Sequence, residues 1–311
     1  ARGTSSDKIT FTSSAASPAA GDWGYIKFED SSTDATFDGN GDYSGGSILE
    51  HCIVQYGGGL GDILTAGTVW SDTASPLITD STFTNNKNYT VNLSVDSIFK
   101  FTDNHFSSNN SSYPSSDGDD GVLRITTGDW GDSISTGSGT ITISGNTITN
   151  NGNPEVANKT NFGAYIQLNA PNITTYVTDN LISNNYAYGD SSFRVLVYGQ
   201  NSSLVLTNNQ ITNNITQYPF HILKYDGNAT TTNNLIMGNT SPPGGSKATV
   251  RLQSAENTTM EFSNNRIVNN TVQYTGGSIS PNSVFFITPS TSNPGSISVS
   301  NNKIHGNTIS S

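Results

Sequence analysis

Along most of the chain, apolar and polar residues alternate for three to five positions, meet an Asn- or Asp-rich pair, and then resume for three more. The run Leu204–Asn214, LVLTNNQITNN, sets the pattern. It returns as FKFTDNHFSSN (Phe99–Asn109), ITISGNTITNN (Ile141–Asn151), MEFSNNRIVNN (Met260–Asn270) and ISVSNNKIHGN (Ile297–Asn307). Looser copies are PLITDSTFTNN (Pro76–Asn86), TYVTDNLISNN (Thr175–Asn185) and ATTTNNLIMGN (Ala229–Asn239). A period of two marks a half-buried strand. The interrupting pair marks a corner, because Asn tolerates left-handed backbone. Each copy therefore reads as a short strand, a sharp turn and a second short strand.

Aligned on the central apolar residue, the copies centre on Ile53, Phe83, Phe106, Ile148, Ile182, Ile211, Ile236, Ile267 and Ile304. Three residues later stand Asn86, Asn109, Asn151, Asn185, Asn214, Asn239, Asn270 and Asn307, with Tyr56 in the first copy. Two residues earlier stand Asn104, Asn146, Asn180, Asn209, Asn234, Asn265 and Asn302. Such columns suit amides that bond to their equivalents one coil away. Five residues before the centre lies an apolar column from Ile48 to Val299, broken by Thr231. A third strand comes earlier in each unit, as in Val122–Ile125, Ala164–Leu168 and Thr249–Leu252. Leu123, Ile125, Ile166, Leu168, Val250 and Leu252 would face inward there, leaving Arg124, Gln167 and Arg251 outward. Three strands per turn with insertions between copies predict an all-β fold, a parallel β-helix solenoid with Asn ladders at its corners. Parallel crossovers make it right-handed. About nine or more coils at roughly 4.8 Å each give a rod ~43 Å long. An antiparallel sandwich would not need Asn in one column so often.

The pattern resembles the right-handed parallel β-helix superfamily with the pectate-lyase-like fold. The opening, GTSSDKITFTS, GDWGYIKF and SILEHCIVQYGG, is similar to bacterial secreted β-helix repeat proteins. The resemblance covers nearly the whole chain and implies the fold. It implies no single activity, since that superfamily includes lyases, hydrolases, adhesins and passive surface stalks. In polysaccharide lyases of this fold the substrate lies in a groove over one sheet, with an arginine base beside a calcium-binding acidic cluster. Insertions at Glu29–Gly46 and Thr126–Gly139 follow the third strand, and those at Ser108–Asp120, Gly152–Gly163, Thr240–Lys247 and Thr271–Asn282 precede it. They would wall a groove over that strand.

Composition narrows the partners. The 311 residues carry 24 acidic and 13 basic side chains, a net charge of −11. Up to Asp132 the count is 18 acidic and 6 basic, and beyond it 6 and 7, so the acidity is concentrated in the first part. An acidic chain with no basic stripe is a poor match for nucleic acid. No apolar run is long enough for a membrane-spanning helix. No charged-then-apolar leader precedes Ala1, so any export signal is expected to have been removed. Cys52, alone and within an apolar run, reads as a buried, inert thiol. Residues 1–311 read as one domain, by itself or within a longer chain, and neither end carries an evident cap.

Candidate chemistry is sparse. Asp38, Asn40 and Asp42 have the D-x-N-x-D spacing of calcium loops, but the twelfth position is Leu49, so a calcium site and a Gly-rich turn are both open. Ser116–Asp120 is a second acidic loop and reads as a solvated turn. Glu50, Asp80, Asp103 and Asp179 share a column that could bind a cation or be a corner where Asp and Asn interchange. A carbohydrate groove would use Lys27, Arg124, Gln167 and Arg251, with Tyr165 and Trp130 among the stacking surfaces; the plain alternative is a solvated face. The acidic cluster that the lyase resemblance requires is not placed, with Asp120, Asp129 and Asp226 nearest to it. His51, His105, His221 and His305 show no metal or triad spacing, so no catalytic residue is assigned. Among the sequons, Asn88, Asn158 and Asn228 are candidate glycosylation sites if the source cell glycosylates. The Ser/Thr column from Thr79 to Ser300 could suggest an ice-binding array, but the coil lengths are irregular.

These readings lead first to an extracellular or cell-surface structural protein, a stalk or filament subunit meeting copies of itself end to end, and not to an enzyme. The alternatives are a polysaccharide-binding or polysaccharide-cleaving protein, a lyase or glycoside hydrolase if it is an enzyme, and an adhesin.

Overall fold

The computed structural model describes residues 1–59, 67–109, 121–127, 133–134, 139–152, 162–242, 247–255, 257–273, 282–289 and 295–310. Their strands form three parallel sheets and one two-stranded antiparallel hairpin, with no helix among the described residues. The first sheet stacks nine strands, from Ile48–Glu50 to Ser296–Ser300. The second stacks ten, from Ile9–Phe11 to Lys303–His305, and the third runs from Ile26–Phe28 to Thr308–Ser310. Each strand pairs with its counterparts one coil earlier and one coil later, so sequence neighbours lie in different sheets. The chain winds as a three-sided coil.

Alternation sets which side chains fill it. In the first sheet Ile78, Phe101, Ile143, Val177, Leu206, Thr231 and Phe262 stand opposite one another in successive strands. In the second, Phe83, Phe106, Ile148, Ile182, Ile211, Ile236 and Ile267 do the same. In the third the file is Leu93, Ile125, Ile166, Val195, Ile222 and Leu252. All are buried, and the apolar ones belong to one core running from Leu49 to Ile267. Phe83 and Phe106 stack in it at 4.7 Å.

Two amide ladders close the corners. Between the first and second sheets, Asn104, Asn146, Asn180, Asn209, Asn234, Asn265 and Asn302 are joined by Nδ2–H to Oδ1 bonds of 2.9–3.1 Å. Each Oδ1 also accepts a backbone N–H from the preceding coil. The Nδ2 groups also donate to backbone carbonyls. Between the second and third sheets, Asn86, Asn109, Asn151, Asn185, Asn214, Asn239, Asn270 and Asn307 repeat this at 2.9–3.1 Å. With both donors and the acceptor satisfied, an amide can be buried without penalty.

The residue before each ladder position takes left-handed backbone. In the first corner these are His51, Asp80, Asp103, Gly145, Asp179, Asn208, Asn233, Asn264 and Asn301, with φ between 50° and 67°. In the second they are Tyr56, Asn85, Ser108, Asn150, Asn184, Asn213, Gly238, Asn269 and Gly306, with φ between 55° and 66°. Asn, Asp and Gly dominate because they enter this region at least cost.

The first coil corrects the alignment by one residue. Val54, not Ile53, faces Phe83, and Leu49, not Ile48, faces Ile78. Leu49, Cys52 and Val54 are buried, whereas Ile48 and Ile53 are half-exposed. Gly57 therefore holds the ladder position, its N–H donating to Asn86 Oδ1 at 2.9 Å. Consecutive apolar residues left the parity open there, and the left-handed corners at His51 and Tyr56 decide it.

Insertion Glu29–Gly46 holds the hairpin, which pairs Thr36–Phe37 with Tyr43–Gly45. The loops expected to wall the third face lie mostly outside the described residues. On the last described coil Val299, Ile304 and Ile309 are 42%, 48% and 55% exposed.

Candidate functional site

The alternation that turns Leu93 and its equivalents inward turns their neighbours outward. Lys27, Trp70, Asn92, Arg124, Tyr165, Arg194, His221, Arg251 and Phe286 stand in register as one file along the outside of the third sheet. From Arg124 onward, guanidinium and ring alternate coil by coil. The Arg124 and Arg194 guanidiniums lie 5.9 and 5.3 Å from the Tyr165 ring centre. Arg251 lies 5.7 Å from the Phe286 ring and 4.9 Å from that of Tyr218. Each cation is thus held against a π-face, which orders it without neutralising it.

Neutralisation differs along the file. Lys27 Nζ sits 4.3 Å from the Trp70 ring centre and pairs with Glu29 at 2.6 Å and Asp72 at 3.3 Å. The hydrogen bond that Lys27 donates to Glu29 is the main cause that holds its pKa up. Arg124 Nη1 donates to the neutral oxygens of Asn92 (3.1 Å) and Thr126 (3.3 Å). Among the described residues the ion pairs are Arg2–Glu50, Lys27–Glu29 and Lys27–Asp72, so neither Arg124 nor Arg251 meets a carboxylate there. The Nε–H groups of Arg124 and Arg251 are buried without an acceptor among the described residues.

His221 sits between two of these arginines and is 2% exposed. Burial, then the Arg194 charge, pulls its pKa down to about 3, so the ring is neutral. Its Nε2 is 2.7 Å from Gln253 Oε1 and its Nδ1 3.5 Å from Ser191 Oγ. With Nε2–H donating to Gln253, Nδ1 is left as an acceptor toward Ser191. Ser191 is fully buried, so this pair orients the ring and presents no open nucleophile.

Tyr165 of the file and its neighbour Leu196 are 3% and 2% exposed, with Tyr198 and Leu223 packed against them. Tyr198 stacks on Tyr225 at 4.6 Å and 21°. Burial, and then Tyr225, raises the Tyr198 pKa above the usual phenol range. Tyr225 is 39% exposed.

The groove residues expected from sequence are only partly united. Arg124 and Arg251 share the file. Lys27 shares it too, but its charge is spent on Glu29 and Asp72. Gln167 stands two residues along, opposite Thr126 and Leu196, and accepts a bond from the Tyr165 hydroxyl. Tyr165 is not the open stacking surface expected, because it is buried between two guanidiniums. Trp130, Asp120 and Asp129 lie outside the described residues. Asp226 forms a left-handed turn whose carbonyl accepts from Lys224. Arg194 and His221 were missed. The signal for both was in the chain, as the polar residue between two core positions in Phe193–Val195 and Phe220–Ile222.

Elsewhere, Asp38 Oδ1 accepts from the backbone N–H groups of Asn40 and Asp42, both at 2.9 Å, so the D-x-N-x-D stretch forms the tip of the hairpin as a turn. A cavity of about 650 Å³ opens between that tip and the first sheet, lined by Phe37, Ile98, Lys100 and Thr140. Lys100 donates to the Gly41 carbonyl and lies 4.8 Å from the Phe37 ring. Donor atoms of Glu50, His51 and Asp80 lie within 4.8 Å of one another, but Glu50 is paired with Arg2. Burial and then Asp80 raise the Asp103 pKa, and both acids occupy left-handed corner positions.

Asn88 corrects a glycosylation candidate: it is 7% exposed and its Nδ2 donates to the Gly58 carbonyl at 2.9 Å, out of reach of a glycan. Asn228 is exposed on the first sheet, and Asn158 lies outside the described residues. Cys52 is buried, and burial raises its thiol pKa.

No curated protein and no solved structure matches the chain. The family model described as "Right handed beta helix region" matches residues 7–236. With three parallel sheets stacked coil on coil and amide ladders at two corners, the chain belongs to the right-handed β-helix family.

Proposed function

We propose that the protein is an extracellular β-helix scaffold that binds an acidic polysaccharide along the outer face of its third sheet. The observation that carries this reading is the guanidinium file: Arg124 and Arg251 are ordered by rings yet meet no carboxylate among the described residues. A planar guanidinium offers two parallel donors to a carboxylate or sulfate. Gln167 and Gln253 lie alongside to meet hydroxyls, and the exposed Tyr225 of the Tyr198–Tyr225 stack suits the apolar face of a sugar ring.

Isothermal titration with acidic and neutral oligosaccharides tests it. Acidic chains should bind, and more weakly as salt rises. Arg124→Ala and Arg251→Ala should each weaken binding roughly tenfold, a loss of about 1.4 kcal/mol. Equal binding of neutral chains, or arginine variants that bind like the parent, would remove the reading.

A second reading, a stalk or filament subunit, is favoured by the stacking of nine and ten strands in register in two of the sheets, with amide ladders running along two corners. Sedimentation across a concentration series tests it: a single unchanging species of the full natural protein counts against end-to-end contact.

A further inference from the structure

The hairpin of the first insertion encloses a cavity of about 650 Å³ together with Ile98, Lys100 and Thr140. That volume lies within the range of small-ligand sites, roughly 300–1,000 Å³. Its walls differ in chemistry. Phe37 and Ile98 are apolar and half-buried. Lys100 brings an ammonium that the Gly41 carbonyl and the Phe37 ring position without neutralising it. Asp38 brings a carboxylate: its Oδ1 is taken up by the turn, accepting from Asn40 and Asp42, and its Oδ2 makes no hydrogen bond among the described residues.

The two charges line one cavity and yet do not pair, since the ion pairs among the described residues involve neither. An ammonium and a carboxylate on the walls of the same space, with an apolar wall beside them, are complementary to a molecule that carries both charges next to an apolar group. A purely anionic ligand would be repelled by Asp38, and a purely cationic one by Lys100.

We propose that the cavity under the hairpin binds a free α-amino acid with an aromatic or large apolar side chain. Its carboxylate accepts from Lys100, its ammonium donates to Asp38, and its side chain packs against Phe37 and Ile98. Gly139 keeps that wall in place, because a Cβ there would stand 2.2 Å from Ile98 Cδ1 and displace the side chain. The guanidinium file belongs to the third sheet, so this site stands or falls without the polysaccharide reading.

Isothermal titration of the full chain compares four probes: phenylalanine, phenylpropanoate (carboxylate only), phenylethylamine (ammonium only) and glycine (both charges, no apolar group). Phenylalanine should bind at least tenfold more tightly than each of the others. Lys100→Met should weaken phenylalanine at least tenfold. Asp38→Asn, which keeps an acceptor for the turn, should erase the advantage of phenylalanine over phenylpropanoate. Arg251→Ala on the third sheet should change neither.

Phenylpropanoate or phenylethylamine binding as tightly as phenylalanine overturns the inference. So does the binding of none of the four, or a phenylalanine affinity indifferent to both cavity variants. Lys100 also holds the hairpin tip, so the probe series on the parent protein and on Asp38→Asn keeps the test decisive if Lys100→Met displaces the hairpin.

Discussion

Asn180 illustrates what single residues do in this molecule. Its Nδ2 donates to Ile143 O and Asn209 Oδ1, and its Oδ1 accepts from the N–H and Nδ2 of Asn146. Asn180→Ala should lower unfolding free energy by about 3–5 kcal/mol, because the stranded neighbours stay buried. Asn180→Asp should cost at least as much, since a carboxylate cannot donate to Asn209. Urea titration of both variants is the check, and near-parent stability would show that the ladders are ornament. Thr231 is the opposite case: it sits in an apolar file, 1% exposed, with no partner for its hydroxyl among the described residues. Thr231→Val should therefore stabilise by about 1 kcal/mol. Both residues could be found in the sequence, because a column shows its exceptions. The one-residue slip at Ile53 shows the limit: without an Asn in the column, the apolar run ILEHCIV does not state which of its residues face inward.

At the scale of the strand, titratable groups on the third sheet make its stability pH-dependent. His221 has a pKa of about 3 when folded, against 6.5 for an ordinary imidazole side chain. Unfolding therefore takes up a proton between those values, and stability is lost as pH falls from about 6.5 toward 3. His221→Gln should flatten that loss, measured by urea titration at pH 7 and pH 4.5; equal losses in both proteins would refute the assignment. Two inaccessible lysines act at the other end of the scale. Burial lowers both pKa values to about 8 from 10.5, so each should add stability as pH climbs from 8 to 10.5.

The two lysines differ in company. Lys224 Nζ donates to Ser202 Oγ at 2.6 Å and to the carbonyls of Tyr225 and Asp226, whereas Lys247 Nζ has no partner among the described residues. At pH 7, Lys247→Met should therefore stabilise by about 1–2 kcal/mol and Lys224→Met should destabilise. Melting temperatures of the two variants distinguish the cases. On this face the sequence was less legible than at the corners. Arg124 and Arg251 were found as outward residues of recognised strands, but Arg194 and His221 follow only once register is known. The walls of the face come from insertions that share no repeat, so no column argument reaches them.

Across the whole molecule, interchangeable coils set the behaviour. Each coil contacts mainly its two neighbours, so stability should be close to a sum over coils and their interfaces. Leu204 stands opposite Ala229 one coil later, so a chain lacking residues 204–228 loses one coil in register and is expected to fold, with Asn180 meeting Asn234 in one corner and Asn185 meeting Asn239 in the other. Calorimetry should show one transition with a smaller enthalpy, and loss of all cooperative unfolding would contradict the picture. The ladders add a property that no single coil has. Every side-chain amide in them points its oxygen toward the first coil and its nitrogen toward the last. Unlike backbone groups in a sheet, whose dipoles largely alternate, these add along the axis, negative toward the first coils and positive toward the last. The formal charges lean the same way, 18 acidic against 6 basic residues up to Asp132 and 6 against 7 beyond it. The rod is thus a small electret, and in a pulsed electric field it should align lengthwise and give a birefringence signal that survives partial screening by salt.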